Sequence, residues 1–222
     1  MPKSKRERVV PLTKTEKKGR EAKNDMIDLV RQSLQEYDSL YVFSFDLMRT
    51  KLFAQVRKEW PSDRFFLGRN KVMQVALGKT QAEELAPGSH NISARLQGTC
   101  GLLFTNKPDA EVRAWFSSYS VRDFARSGCV AESTVELPEG LLDGFQHTQE
   151  LQLRKLGLPT KLIEGKVCML HEHTVCTEGR PLTPEQATML QLLDMKQSDF
   201  KLELVCRYSD GQFETLDGGL DE

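Results

Sequence analysis

Between Cys168 and Cys176 the chain reads Cys168-Met-Leu-His171-Glu-His173-Thr-Val-Cys176, four potential metal ligands in one short segment. Zinc takes cysteine and histidine in tetrahedral sets, so this is the first place to look for chemistry. The spacings are not those of a common zinc finger, and alternation along a strand would turn Cys168 and His171 to opposite faces. A partly buried cysteine with surface histidines is the simpler reading, and no metal is expected. Gly78-Lys-Thr80 resembles the end of a phosphate-binding P-loop, but Met73 stands where that loop requires glycine. The segment also follows a helical pattern, whereas a P-loop joins a strand to a helix. Asp46 ends a strand-like run, where α/β enzymes place functional groups, yet no histidine or second acid accompanies it. An aspartate capping the next turn is the plainer account. The sequence thus offers no catalytic residues and calls for no cofactor.

The basic residues make a more coherent set. Residues 1–23 contain Lys3, Lys5, Arg6, Arg8, Lys14, Lys17, Lys18, Arg20 and Lys23 against three glutamates. The other 199 residues carry 22 basic and 29 acidic side chains, so the overall net charge of −1 hides a cationic arm on an acidic body. Such an asymmetry points to a localised polyanion contact, with a solvated tail or a nuclear import signal as the bland alternative. Arg49 and Lys51 follow one strand-like run, and Arg69, Asn70 and Lys71 follow another. In a parallel sheet those loops would leave one edge together. Arg69-Asn-Lys71 also opens a helical pattern, where free amides and the helix dipole favour a phosphate.

Composition narrows the class. Hydrophobic residues make up 39% and charged residues 28%, as in ordinary globular proteins. No apolar run approaches the roughly 18 residues that span a bilayer, and no secretory signal is visible. Glu7, Glu16 and Glu21 interrupt the basic run, unlike a mitochondrial presequence. The five cysteines are scattered without a Cys-x-x-Cys pair, which suggests reduced thiols in the cytosol or nucleus.

The elements that must position these side chains are legible as patterns. Met26, Ile27, Val30, Leu34 and Tyr37 recur at helical spacing, predicting a helix over 24–37. Strands are predicted at Leu40–Phe45, Arg64–Leu67 and Gly101–Thr105. Helices are predicted around Leu52–Trp60, around Val72–Leu77 and after Pro108. This alternation reads as a compact α/β domain spanning 24–126 and 183–216. Ser133–Leu137 and Lys161–Leu170 look like β segments of a small β-rich module, 127–182, inserted into it. Thr183 is a candidate N-cap for a helix from Pro184. The alternation at Leu202, Leu204, Cys206 and Tyr208 marks a last strand, with Asp210-Gly211 as a hairpin turn. The expected architecture is therefore a basic N-terminal arm, an α/β (α+β) domain and a β-rich insertion.

Longer stretches resemble a known family. Met1-Pro-Lys-Ser-Lys-Arg6, Leu12-Thr-Lys-Thr15 and Lys17-Lys-Gly19 are similar to the start of the mRNA turnover protein 4 family of eukaryotic ribosome assembly factors. So are Phe65-Phe-Leu-Gly-Arg-Asn-Lys-Val-Met-Gln-Val-Ala-Leu-Gly78 and Gly101-Leu-Leu-Phe-Thr-Asn106. Leu156-Gly-Leu-Pro-Thr160, Val175-Cys-Thr-Glu-Gly179 and Leu182-Thr-Pro-Glu-Gln-Ala187 continue the likeness in order. The wider family is that of the ribosomal stalk-base protein, whose eukaryotic members carry an insertion domain. The resemblance implies a non-enzymatic protein that binds ribosomal RNA at the stalk base of precursor large subunits, among neighbouring ribosomal proteins. It implies the nucleus and nucleolus, extending to the cytoplasm on late particles, and no membrane partner. It also implies RNA contacts at the arm and at Arg69, Asn70 and Lys71. Because the chain ends at Glu222 without a long alanine-rich, acidic extension, no recruitment of acidic stalk proteins is expected. The competing expectations are a scaffold that recruits a protein partner through the insertion, with incidental RNA contact, and a hydrolase using Asp46.

Overall fold

The computed structural model describes residues 19–216. In chain order it runs α1 (Glu21–Glu36), β1 (Ser39–Ser44), α2 (Thr50–Glu59), β2 (Arg64–Phe66), α3 (Asn70–Leu77), α4 (Ser89–Arg95), β3 (Cys100–Thr105) and α5 (Asp109–Ser118). There follow β4 (Ser120–Asp123), β5 (Val135–Leu137), β6 (Gly140–Leu141), α6 (Glu150–Lys155), β7 (Thr160–Ile163), β8 (Lys166–Met169) and β9 (His173–Cys176). The last elements are α7 (Pro184–Leu192), β10 (Ser198–Lys201), β11 (Glu203–Ser209) and β12 (Gln212–Thr215). The fold class is the expected mixture of helices and sheets with an insertion. Helix α1 begins at Glu21 rather than Asn24, so Lys23 lies in its first turn. Among the described residues no helix is long and apolar enough to cross a membrane.

Two compact units emerge. The first contains residues 19–44, 60–108 and 204–216, the second 45–59 and 109–203. The first is organised by a five-stranded sheet in the order β12-β11-β1-β3-β2. Every residue of β3 is buried, and the strand pairs antiparallel with β1 on one side and β2 on the other. These ladders are antiparallel where the sequence suggested parallel order. The two flanking strands nevertheless run in the same direction, because each opposes β3. Phe66 and Val42 both sit opposite Leu102, so β1 and β2 end at the same sheet edge.

Val30, Val42, Met73, Leu77, Ile92, Leu102 and Phe104 pack into one core with α1, α3 and α4. Each such side chain contributes roughly 1.5–3 kcal/mol when taken fully from water. Helix α4 is absent from the periodic pattern because its inward face carries Ser89 and Ser93 beside the single aliphatic Ile92. The Ser89 hydroxyl donates to the Leu77 carbonyl at 2.6 Å, and the Ser93 hydroxyl donates to the Gly78 carbonyl at 2.6 Å. Those serines satisfy the orphan acceptors at the end of α3. The hairpin turn at Asp210-Gly211 joins β11 to β12 as the sequence indicated.

In the second unit a separate core gathers Leu153, Leu158, Val167, Met169, Val175, Leu182, Met189 and Leu190. Around it lie the pair β5-β9 and the sheet β6-β8-β7, with β10 pairing β4 in the same unit. Helix α7, assigned by sequence to the α/β domain, sends Met189 and Leu190 into this second core instead. Thr183 caps it in a reciprocal box with Gln186.

Gly101 marks the tightest point of the first sheet. A Cβ there would meet Phe43 Cζ at 2.6 Å, Leu67 Cδ2 at 2.7 Å and the Phe66 carbonyl oxygen at 2.9 Å. Gly101→Ala should therefore destabilise the chain by about 1–3 kcal/mol, read as a lower urea midpoint with an unchanged slope. An unaltered midpoint would show that the sheet edge is looser than described.

Candidate nucleic-acid interface

Six of the thirteen expected RNA-binding residues have a place among the described residues. Lys3, Lys5, Arg6, Arg8, Lys14, Lys17 and Lys18 lie outside the described residues. Arg20 is exposed at the N-cap of α1, and its carbonyl accepts from the Lys23 and Asn24 amides at 3.1 Å. Helix α1 then runs against α3. Just before α3, a Cβ at Gly68 would lie 2.7 Å from Met26 Sδ. The missing side chain at Gly68 thus lets the early turns of α1 lie over the segment that opens α3. This brings the end of the basic arm to the same part of the unit as Arg69 and Lys71.

Helix α3 is fixed at both ends. At its start, the Asn70 side chain donates to the Gly98 carbonyl at 2.8 Å. Burial pushes the neighbouring Cys100 thiol up to about 11, while a hydrogen bond with Asn70 acts in the opposite direction. Asn70 therefore holds the helix in place rather than reaching outward. Further along, the Gln74 amide donates to the Ser93 and Leu96 carbonyls, both at 3.1 Å. Ser89 and Ser93 close the far end. Sequence periodicity missed these anchors; the four-residue spacing of the two serines was the available signal.

What remains at the start of α3 is positive and exposed. Arg69 occupies the N-cap without a side-chain capping bond, and the first turn holds no acidic residue. The Arg69 carbonyl accepts from the Val72 amide at 2.8 Å and the Met73 amide at 3.2 Å. Arg69 and Lys71 are both solvent-exposed. Two cations at the positive end of a helix dipole are locally unfavourable. An anion seated there would relieve that repulsion and satisfy free amides of the first turn.

Arg49 and Lys51 belong to the other compact unit. Lys51 is exposed on the first turn of α2. Arg49 is partly buried: its Nε lies 2.6 Å from Asp123 Oδ2, and its Nη2 donates to the Phe124 carbonyl. Arg126 donates from Nη2 to the Met48 carbonyl at 3.1 Å. These bonds tie the 45–49 loop to the strand leading into the insertion, and they engage the Arg49 guanidinium structurally. Asp46 is exposed. Along 168–176, Cys168 is partly buried, His171 exposed, His173 partly buried and Cys176 buried. Cys176 Sγ lies 3.9 Å from the Gln197 amide nitrogen, which also donates to Ser133 Oγ at 3.1 Å. Among the described residues, no group of three or more His, Cys, Asp or Glu side chains is arranged to hold a metal ion.

Comparison with known proteins places these features in a family. Residues 18–121 match the family described as ribosomal protein L10, and residues 125–195 match the insertion domain described for the 60S ribosomal protein of the same family. The chain is 39% identical over 213 residues to the ribosome assembly factor mrt4 of Dictyostelium discoideum, covering 96% of each. It is 34% identical to the corresponding factor of Saccharomyces cerevisiae, covering 98% of this chain and 97% of that one. The large ribosomal subunit protein uL10 of Saccharomyces cerevisiae is 27% identical, over 87% of this chain and 61% of that protein. These relatives are ribosome assembly factors and ribosomal proteins, not enzymes.

The two arginine sites should separate on stability. Arg49→Ala breaks a partly buried ion pair and a carbonyl contact, so it should cost about 1–2 kcal/mol, with Asp123→Asn causing a loss of the same order. Arg69→Ala and Lys71→Ala should stay within about 0.5 kcal/mol of the parent. Thermal melts that rank Arg69→Ala as the more destabilising change would reverse the assignment.

Proposed function

The chain belongs to the mrt4 family of ribosome assembly factors, within the wider ribosomal protein L10 family, and we propose that it binds large-subunit ribosomal RNA at the stalk base. There it holds the site on nuclear and nucleolar precursor particles until the mature L10-family protein takes it. The observation that carries this reading is the start of α3. Arg69 and Lys71 stand exposed on a helix end that has no acid in its first turn. The helix is pinned through Asn70, Gln74, Ser89 and Ser93, so those charges are presented from a fixed frame. A phosphate at that point gains the dipole, free amides and two cations together.

Arg20 and Lys23 on α1 extend the cationic character toward the arm, whose seven further basic residues continue it in sequence. Phosphate contacts of this kind position a protein on RNA without reading bases. Base-specific recognition would therefore come from elsewhere or from RNA shape. Lys51 remains a candidate contact on the second unit. Arg49 and Asn70, engaged in bonds of their own, act by placing the segments that carry the exposed cations.

The test is binding to a stalk-base ribosomal RNA fragment across a series from about 50 to 200 mM salt. Three proteins are compared: the full chain, a form lacking residues 1–18, and Arg69→Ala combined with Lys71→Ala. Each lost phosphate contact should flatten the slope of log affinity against log salt by about 0.7–0.9. The double variant should bind at least ~10-fold more weakly at the lowest salt, since a charge-assisted bond contributes roughly 1.5–3 kcal/mol. Identical affinity and slope for all three proteins would count against the site.

A further inference from the structure

We propose that a cleft at the acidic end of the first unit receives an arginine side chain from a basic segment of a protein partner. The cleft lies where α1 ends, β1 begins and the β11-β12 hairpin turns. It does not depend on the RNA reading above. Its volume is about 190 Å³. Pockets for small molecules usually span roughly 300–1,000 Å³, so this one suits a single side chain rather than a metabolite. Leu34, Tyr37, Leu40, Ala86 and Tyr208 form its walls, and Asp38, Asp210 and Gly211 complete the lining.

Hydrogen bonds fix these walls before any ligand arrives. The Tyr208 hydroxyl donates to the Pro87 carbonyl at 3.0 Å, and the Tyr37 hydroxyl donates to the Ser62 carbonyl at 3.2 Å. The Ser209 hydroxyl donates to the Asp38 carbonyl at 3.1 Å, tying the hairpin to the start of β1. Leu85, on the loop before α4, adds a large aliphatic side chain that is 45% exposed. From Met26, over Gly68, to Tyr37 the α1 helix rises roughly 16 Å. A partner seated here therefore leaves the start of α3 open.

Charge selects the occupant. The segments that supply the lining, residues 34–40, 84–90 and 208–214, contain Glu36, Asp38, Glu84, Asp210 and Glu214 but no lysine or arginine. His90 engages Glu84 at 2.7 Å, and Arg207 lies 3.9 Å from Glu214. Among the described residues, Asp38 and Asp210 enter no ion pair. The Tyr208 hydroxyl registers this field: burial raises its pKa first, and the charges of Glu84 and Asp210 raise it further. Cations on neighbouring elements are engaged or placed elsewhere. Arg31 aims Nε at the Ala76 carbonyl at 3.4 Å, Lys107 lies over the Trp60 ring and Arg207 over the Tyr41 ring. Lys79 precedes the turn in which the Glu83 amide donates to the Thr80 carbonyl, at the far end of the loop. Arg64 stands opposite Phe104, which stands opposite Leu40, so two strand spacings of about 4.8 Å separate it from that wall.

Carboxylates in this number repel a phosphate backbone, so RNA is not the occupant. A guanidinium fits both components of the cleft. It pairs with a carboxylate through two parallel bonds and stacks on aromatic faces, whereas an ammonium is a compact, strongly hydrated point charge.

The experiment uses the full chain and three synthetic peptides in which leucine alternates with arginine, lysine or glutamate, read by fluorescence anisotropy. Asp38→Asn with Asp210→Asn removes the two carboxylates, and asparagine tolerates the φ of +50° at position 210. Asp25→Asn with Asp28→Asn, exposed nearer the start of α1, makes the same change in net charge away from the cleft. Ala86→Leu fills the cleft at constant charge. The arginine peptide should bind the parent, and should bind the Asp38/Asp210 and Ala86 variants about 10-fold more weakly. The Asp25/Asp28 variant should match the parent. The lysine peptide should bind more weakly than the arginine peptide, and the glutamate peptide should not bind. If Ala86→Leu lowers the melting temperature, the Asp38/Asp210 variant decides. A form lacking residues 1–18 should bind the arginine peptide as the parent does. Tighter binding by that form would make the chain's own arm the occupant and would overturn the proposal. So would no binding of the arginine peptide, equal losses in both aspartate variants, or equal binding of the arginine and lysine peptides.

Discussion

The architecture of the first unit hangs on one buried strand. All six residues of β3 are buried, so their backbone groups must be paired within the protein. The strand meets that demand by hydrogen bonding to β1 on one side and β2 on the other, both antiparallel. Two strands opposed to the same neighbour must point the same way. The end of β2 therefore lies at the sheet edge where β1 also ends, and α3 starts from that edge. Gly101 lets Phe43, Leu67 and the Phe66 backbone close over the beginning of β3. A side chain at that point would push apart the segment from which Arg69 and Lys71 are displayed.

From that edge outward, polar bonds take over from packing. Asn70, Gln74, Ser89 and Ser93 bind α3 to neighbouring backbone, and Met26 lies over Gly68. These contacts use groups that could otherwise have faced a ligand, and they leave two cations at a helix end that favours anions. Arg49 illustrates the opposite use of the same residue type. Its guanidinium is drawn into Asp123 and the Phe124 carbonyl, where it secures a loop. Charge alone does not distinguish the two roles; the partners do.

That distinction explains how far the sequence could be read. The helices of α1, α2, α3, α5 and α7 and the strands of β1, β2, β3 and β11 carried apolar periods tied to burial, and they stood out. The Asp210-Gly211 turn and the Thr183 cap were legible because their backbone geometry demands particular residue types. Helix α4 was not, since its buried positions include Ser89 and Ser93 rather than an aliphatic stripe. The antiparallel sense of β3 was also hidden, because alternation of strand and helix is compatible with either sense. Of the candidate site, Arg69 and Lys71 kept the exposed, helix-opening position inferred for them. The structural duties of Asn70 and Arg49 depend on Gly98 and Asp123, partners 28 and 74 residues away. No local pattern announces such bonds.

If the charges at the start of α3 address the stalk-base RNA, this chain and the L10-family ribosomal protein compete for one surface. The most direct measurement mixes a labelled stalk-base RNA fragment with both proteins and resolves the complexes by native electrophoresis and mass. The account predicts two binary complexes that interconvert on titration, each protein displacing the other, with no species containing both. A stable ternary complex, or a complex of RNA with the L10-family protein whose population this chain leaves untouched at saturating concentration, would contradict it.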